Sequence, residues 1–163
     1  NGIVILMNDQ ASIAPVLVFT YGNPSRGDDA LGPAMFDLLD NEALDNVDLL
    51  TDFQLQIEHA TDLENRDYIL FVDAGISCHE PFELSQLEIR RDDSFTTHAM
   101  SPSSVLSVYQ QINRRDPPPA YLLTIRAYEF GLGNEMSDAA RANLHAAFEF
   151  LKQKPPWVEP LAT

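Results

Sequence analysis

The sequence predicts an α/β protein: a three-layer αβα sandwich with a mostly parallel sheet and one antiparallel edge strand. Three observations carry this. Val16–Tyr21, Tyr68–Val72 and Tyr121–Ile125 are short apolar runs rich in β-branched and aromatic residues, as suits strands covered on both faces. They alternate with segments whose apolar residues recur at helical spacing. Phe82 to Arg90 instead alternates apolar and polar, the pattern of a half-exposed edge strand.

In chain order, Val16–Tyr21 ends at Gly22-Asn23-Pro24, and Gly27 allows a sharp bend. Asp28 and Asp29 then precede Leu31, Ala34, Met35, Leu38 and Leu39, a helical stripe. Two acids at that place have two explanations. A carboxylate can accept from the free N–H groups of the first turn and complement the helix dipole. It can also serve chemistry, because open α/β proteins build sites on loops at the carboxyl ends of strands. Asp28 reads as the cap, and Asp29 fits either.

Polar breaks at Asp40-Asn41 and Asp45-Asn46 lead to a second strand from Val47 to Thr51, continuing towards Leu55. Ile57–Leu63 reads as a short helix, and Tyr68–Val72 as a central strand followed by Asp73. A loop through Arg90–Thr97 brings His98 just ahead of Ser101-Pro102. Ser as cap and Pro at the first helical position start a helix with Val105, Leu106, Tyr109 and Ile112 inward. After Pro117-Pro118-Pro119 and the strand Tyr121–Ile125, Ser137 caps a last helix carrying Ala140, Leu144, Phe148 and Leu151. Pro155-Pro156 stops it, and Trp157–Thr163 reads as extended chain. The organisation is an N-terminal extension over 1–14, one domain over 15–154 and a tail over 155–163. Residues 1–6, ahead of the first methionine, are expected to lie outside the fold.

Ten Lys plus Arg against twenty-five Asp plus Glu, a formal charge of −15, repel phosphate backbones and anionic bilayers. Neither nucleic acid nor a membrane is an expected partner. No apolar run is long enough to span a bilayer, and the single cysteine, Cys78, fits a reducing cytoplasm and an ordinary buried thiol. A cytoplasmic monomer is the expectation.

With parallel strands, Asp29, Asp73 and His98 converge on one rim. Two carboxylates and an imidazole suit a divalent transition metal with positions left open. His59, His79 and His145 lack such company and read as surface or helix-packing residues.

The motifs resemble those of the hydrogenase maturation proteases, which remove a C-terminal extension from the large subunit of nickel-iron hydrogenases. Gly22-Asn-Pro-Ser-Arg-Gly-Asp28-Asp29 is similar to the family's opening motif, and Asp52-Phe-Gln-Leu-Gln-Ile-Glu58 with Asp62-Leu63 to its next segment. Phe71-Val-Asp73-Ala74 resembles its central aspartate motif, His98-Ala-Met-Ser101-Pro102 its histidine segment, and Leu123-Thr-Ile-Arg126 its C-terminal part. Asp29 stands where some members carry Glu, Ala30 replaces a common glycine, and Glu129–Asn134 matches loosely. The resemblance implies an endopeptidase in which Asp29, Asp73 and His98 are both catalytic and metal-contacting. It implies nickel as the metal, carried by the large-subunit precursor. Two other classes fit the same acids: a receiver-like signalling module with an aspartate phosphoacceptor, and a non-catalytic nickel-binding escort. The receiver reading needs a cation after the last strand, where this chain offers Arg126.

Overall fold

A computed structural model describes residues 13–89 and 100–158. Five strands form one sheet in the order β2-β1-β3-β5-β4. They are β1 (Val16–Tyr21), β2 (Val47–Asp52), β3 (Tyr68–Gly75), β4 (Phe82–Gln86) and β5 (Ala120–Arg126). All neighbours are parallel except β4, which runs antiparallel to β5 at the edge. The expected class is therefore observed. β4 is shorter than expected, ending at Gln86.

Side-chain alternation along the strands splits the interior in two. Val16, Val18, Leu70, Val72, Leu123 and Ile125 face helices α1 (Leu31–Asp40) and α3 (Asp138–Gln153). Leu17, Phe19, Ile69 and Phe71 face the opposite layer, α2 (Pro102–Asn113) and the 3-10 segment Ile57–Leu63. Burying such a side chain contributes about 1.5–3 kcal/mol, so both layers are held mainly by the sheet's apolar faces. The helix stripes match expectation with two exceptions. Ile57, expected on the apolar face of Ile57–Leu63 with Ala60 and Leu63, is 49% exposed. Ile112, placed inward by its spacing, is 60% exposed in the last turn of α2, next to the left-handed Arg114 that ends the helix.

Two further expectations are corrected. Ile57–Leu63 is a 3-10 segment. Pro155–Val158 form a turn rather than extended chain, with Trp157 packed edge-on to Tyr68 against the first core. At the other end, the Ala14 carbonyl accepts from the Arg66 guanidinium, which also pairs with Asp48. That clasp fixes the chain's entry into β1.

Candidate functional site at the carboxyl edge of the sheet

Parallel strands in register turn matching side chains to one face. Tyr21 pairs with Asp52 of β2, and Thr20 pairs with Val72, which sets Tyr21 beside Asp73 of β3; Asp73 pairs with Thr124 of β5. Asp52, Tyr21, Asp73 and Thr124 thus form one polar row at the carboxyl edge, on the face shared with α2. The sequence placed Asp73 after its strand, but β3 continues to Gly75 and Asp73 projects from within it. A strand position holds a side chain more firmly than a loop does.

Asp29, in the 3-10 turn (Gly27–Ala30) after β1, is near enough for its charge to act on the Asp73 carboxyl. Its Oδ2 accepts from the Asn23 N–H at 2.7 Å, which closes the loop on itself. Gly22 is required there: at φ +149°, a Cβ on it would lie 2.1 Å from the Asp29 carbonyl oxygen. Gly22→Ala is expected to cost about 2–4 kcal/mol and to displace Asp29. Chemical denaturation measures the first effect, and a wild-type midpoint would show that the loop adapts freely.

Burial pushes the Asp73 carboxyl up, opposed by bonds from the Ala74 N–H and the Tyr21 hydroxyl and reinforced by the charge of Asp29, to about 6. Burial, then the Asp73 and Asp29 carboxylates, push the Tyr21 phenol far above its ordinary value, so it stays a donor. Asp73 is therefore a carboxylate held in one orientation and poised to exchange a proton near neutrality.

Asp28 corrects the capping expectation. It is fully buried and makes no cap bond to either its own 3-10 turn (Gly27–Ala30) or α1. Instead it reaches the loop before α3. Its Oδ1 accepts from Ser137 N at 2.7 Å; its Oδ2 accepts from Tyr128 N at 2.8 Å, Ser137 Oγ at 2.9 Å and Glu129 N at 3.1 Å. Burial opposes its ionisation, but these donors outweigh it and hold the carboxyl below its usual value. Main-chain bonds from Gly27 to Asn134 and from Asp28 to Glu129 zip the same two loops together. Ser137 meanwhile accepts from Ala140 N as the cap of α3. Asp28 thus ties the loop bearing Asp29 to the start of the last helix.

His98 lies outside the described residues. Two residues on, Met100 packs against the same core as Tyr21. Among the described residues, no group of three or more His, Cys, Asp or Glu could hold a metal ion. His59 is another correction. Expected as a surface or helix-packing residue, it does pack, edge-on to Phe19, but it also bonds Asp52 through Nε2 at 3.1 Å and accepts the Gln56 N–H on Nδ1 at 2.8 Å. Sequence reasoning also missed Tyr21. The signal was the strand period, which puts the last residue of β1 on the face of Phe19. Cys78 is buried against the carbonyls of Gly75 and Thr124, and burial pushes its thiol up, as befits an inert thiol.

An open, mostly parallel sheet between helical layers, with acids at the carboxyl ends of two central strands, defines the class, a three-layer α/β protein; open α/β sheets bind ligands at that edge. The chain has the fold of the hydrogenase maturation proteases. It is similar to the NiFe hydrogenase maturation protease HycI from Thermococcus kodakarensis, with a TM-score of 0.66 and 20% identity over 93% of this chain and 98% of that one. The hydrogenase maturating endopeptidase HybD from E. coli gives 0.65 and 21% over 83% and 88%. A hydrogenase 2 maturation peptidase from a Thaumarchaeota archaeon gives 0.60 and 28% over 84% and 96%. No family model matches the sequence, and no curated protein does.

Proposed function

We propose that this chain is an endopeptidase that removes the C-terminal extension of a nickel-iron hydrogenase large-subunit precursor after nickel insertion. The observation that carries it is the Asp29–Asp73 pair at the carboxyl edge of a maturation-protease fold. Asp29, Asp73 and His98 contact the nickel that the precursor carries, and the same three side chains act in hydrolysis. Carboxylates with an imidazole are a suitable donor set for nickel, and three leave coordination positions for the substrate. The enzyme works as a cytoplasmic monomer on a protein substrate.

The chain's own residues have separable roles. Tyr21 and the Ala74 N–H orient Asp73, whose raised affinity for protons suits it to take one from the attacking water. The water oxygen adds to the scissile carbonyl, the C–N bond breaks, and the proton passes to the leaving amine. Asp29 keeps Asp73 basic through its charge. The phosphoacceptor alternative lacks support at its cation, since Arg126 donates to the Cys78 and Ala127 carbonyls.

Two outcomes test this reading. Nickel-loaded precursor is expected to lose its C-terminal segment, seen by mass spectrometry, while metal-free precursor stays intact; equal cleavage of both would remove nickel from the recognition step. A non-catalytic escort would cut neither. His98→Ala is expected to slow processing at least 100-fold with the fold retained, by loss of the only nitrogen donor. Normal processing by that variant would take His98 out of the site.

A further inference from the structure

We propose that His59 is a positioning residue for the acidic pair, holding the end of β2 as the support against which the Asp29 loop is set. This rests on the protease reading above. Nδ1 accepts the Gln56 N–H at 2.8 Å, so the ring proton resides on Nε2 and is donated to Asp52 Oδ2 at 3.1 Å. The Gln56 carbonyl accepts the His59 N–H in return, at 3.0 Å. The ring is 12% exposed and stands edge-on to Phe19, 4.6 Å between centroids. Every polar atom of the imidazole is thus committed, and the ring cannot rotate without breaking both bonds.

Asp52 passes this order on. Its Oδ1 accepts from Phe53 N at 2.7 Å, which fixes the turn out of β2. Its carbonyl accepts from Gly22 N at 3.1 Å. Gly22 is the residue with no room for a Cβ against Asp29, and the next N–H, that of Asn23, binds the Asp29 carboxylate. From His59 to Asp29 there is an unbroken series: imidazole, Asp52 side chain, Asp52 main chain, Gly22-Asn23, carboxylate. His59 touches neither Asp29 nor Asp73, and it acts on them only through Asp52. Misplacing a reacting group by about 1 Å can cost about 100-fold in rate, so a small shift at the end of β2 matters.

Two substitutions separate the two ring nitrogens. A Gln amide reaches the position of Nε2 and can still donate to Asp52, whereas an Asn amide reaches only that of Nδ1 and leaves Asp52 unbound. Both variants retain the bulk of the fold, which thermal melting verifies. With nickel-loaded precursor, His59→Asn is expected to lower kcat roughly 10–100-fold with KM within about twofold, and His59→Gln to stay within about threefold of wild type in both. The Asp29 carboxyl carbon resonance, read by NMR without substrate, is expected to move in His59→Asn and hold in His59→Gln. Wild-type kcat in His59→Asn, equal losses in both variants, or an unmoved Asp29 resonance would each overturn the proposal. If the wild-type protein cuts no precursor while the resonance behaves as expected, the protease reading fails and the positioning of Asp29 by His59 stands.

Discussion

Asp28→Asn is expected to destabilise the protein by about 3–5 kcal/mol and to lower its Tm by roughly 6–20 °C. The wild-type carboxylate offers two oxygens to four donors, three main-chain N–H groups and the Ser137 hydroxyl, inside a site with no exposed surface. Asn presents an NH2 where one of those oxygens was, so donors then face a donor and are left unsatisfied. The sign of the pH dependence follows from the depressed folded-state carboxyl. Its contribution is present above the ordinary carboxyl value of 3.8 and is lost as pH falls through the lower folded value. The gap in Tm between wild type and variant should therefore be widest near neutrality and shrink in acid. Calorimetry across pH measures it, and a variant melting with wild type at pH 7 would show that the loops hold without the carboxylate. Processing should fall too, because Asp29 follows directly in the chain.

Asp73→Asn carries the opposite pairing of effects: processing is expected to fall at least 1,000-fold, while the protein gains about 1–3 kcal/mol at pH 7. Burial and the Asp29 charge raise the folded carboxyl from 3.8 to about 6 against the pull of Tyr21 and Ala74. The folded state then binds more protons than the unfolded state between those values, so wild-type stability declines as pH rises from about 4 to about 6. A neutral amide escapes that penalty. The variant's advantage should be absent near pH 3 and fully developed above pH 7. Parallel melts at the two pH values, with processing followed on nickel-loaded precursor, test both halves; a folded variant that processes normally would exclude Asp73 from the chemistry. Groups whose ionised form burdens the fold cluster at functional sites, which makes Asp73 a candidate for one.

Most of the architecture was legible along the chain. β1, β3 and β5 were apparent from apolar runs, α2 and α3 from the Ser101 and Ser137 caps, and the edge strand from alternation over Phe82 to Arg90, of which Phe82–Gln86 forms β4. These signals are local: period, cap and turn chemistry act within a few residues, so the sequence by itself determined them. Asp73 stood out as a carboxylate closing an apolar run, whereas Asp29, eight residues past β1, fitted either cap or chemistry.

The tertiary structure alone decided what each acid does. Asp28 and Asp29 are neighbours of identical chemistry, yet Asp28 is consumed by donors about one hundred residues away while Asp29 accepts from the Asn23 N–H and acts on Asp73 through its charge. Tyr21 became a site residue only when register set β1 between β2 and β3. His59, which has no distinctive spacing, gained its role from Asp52 and Gln56 once the 3-10 segment folded back over Phe19. Hydrogen-bond partners and burial depend on which strands lie side by side. Loop closure brings distant donors to a carboxylate, and no local pattern encodes that meeting.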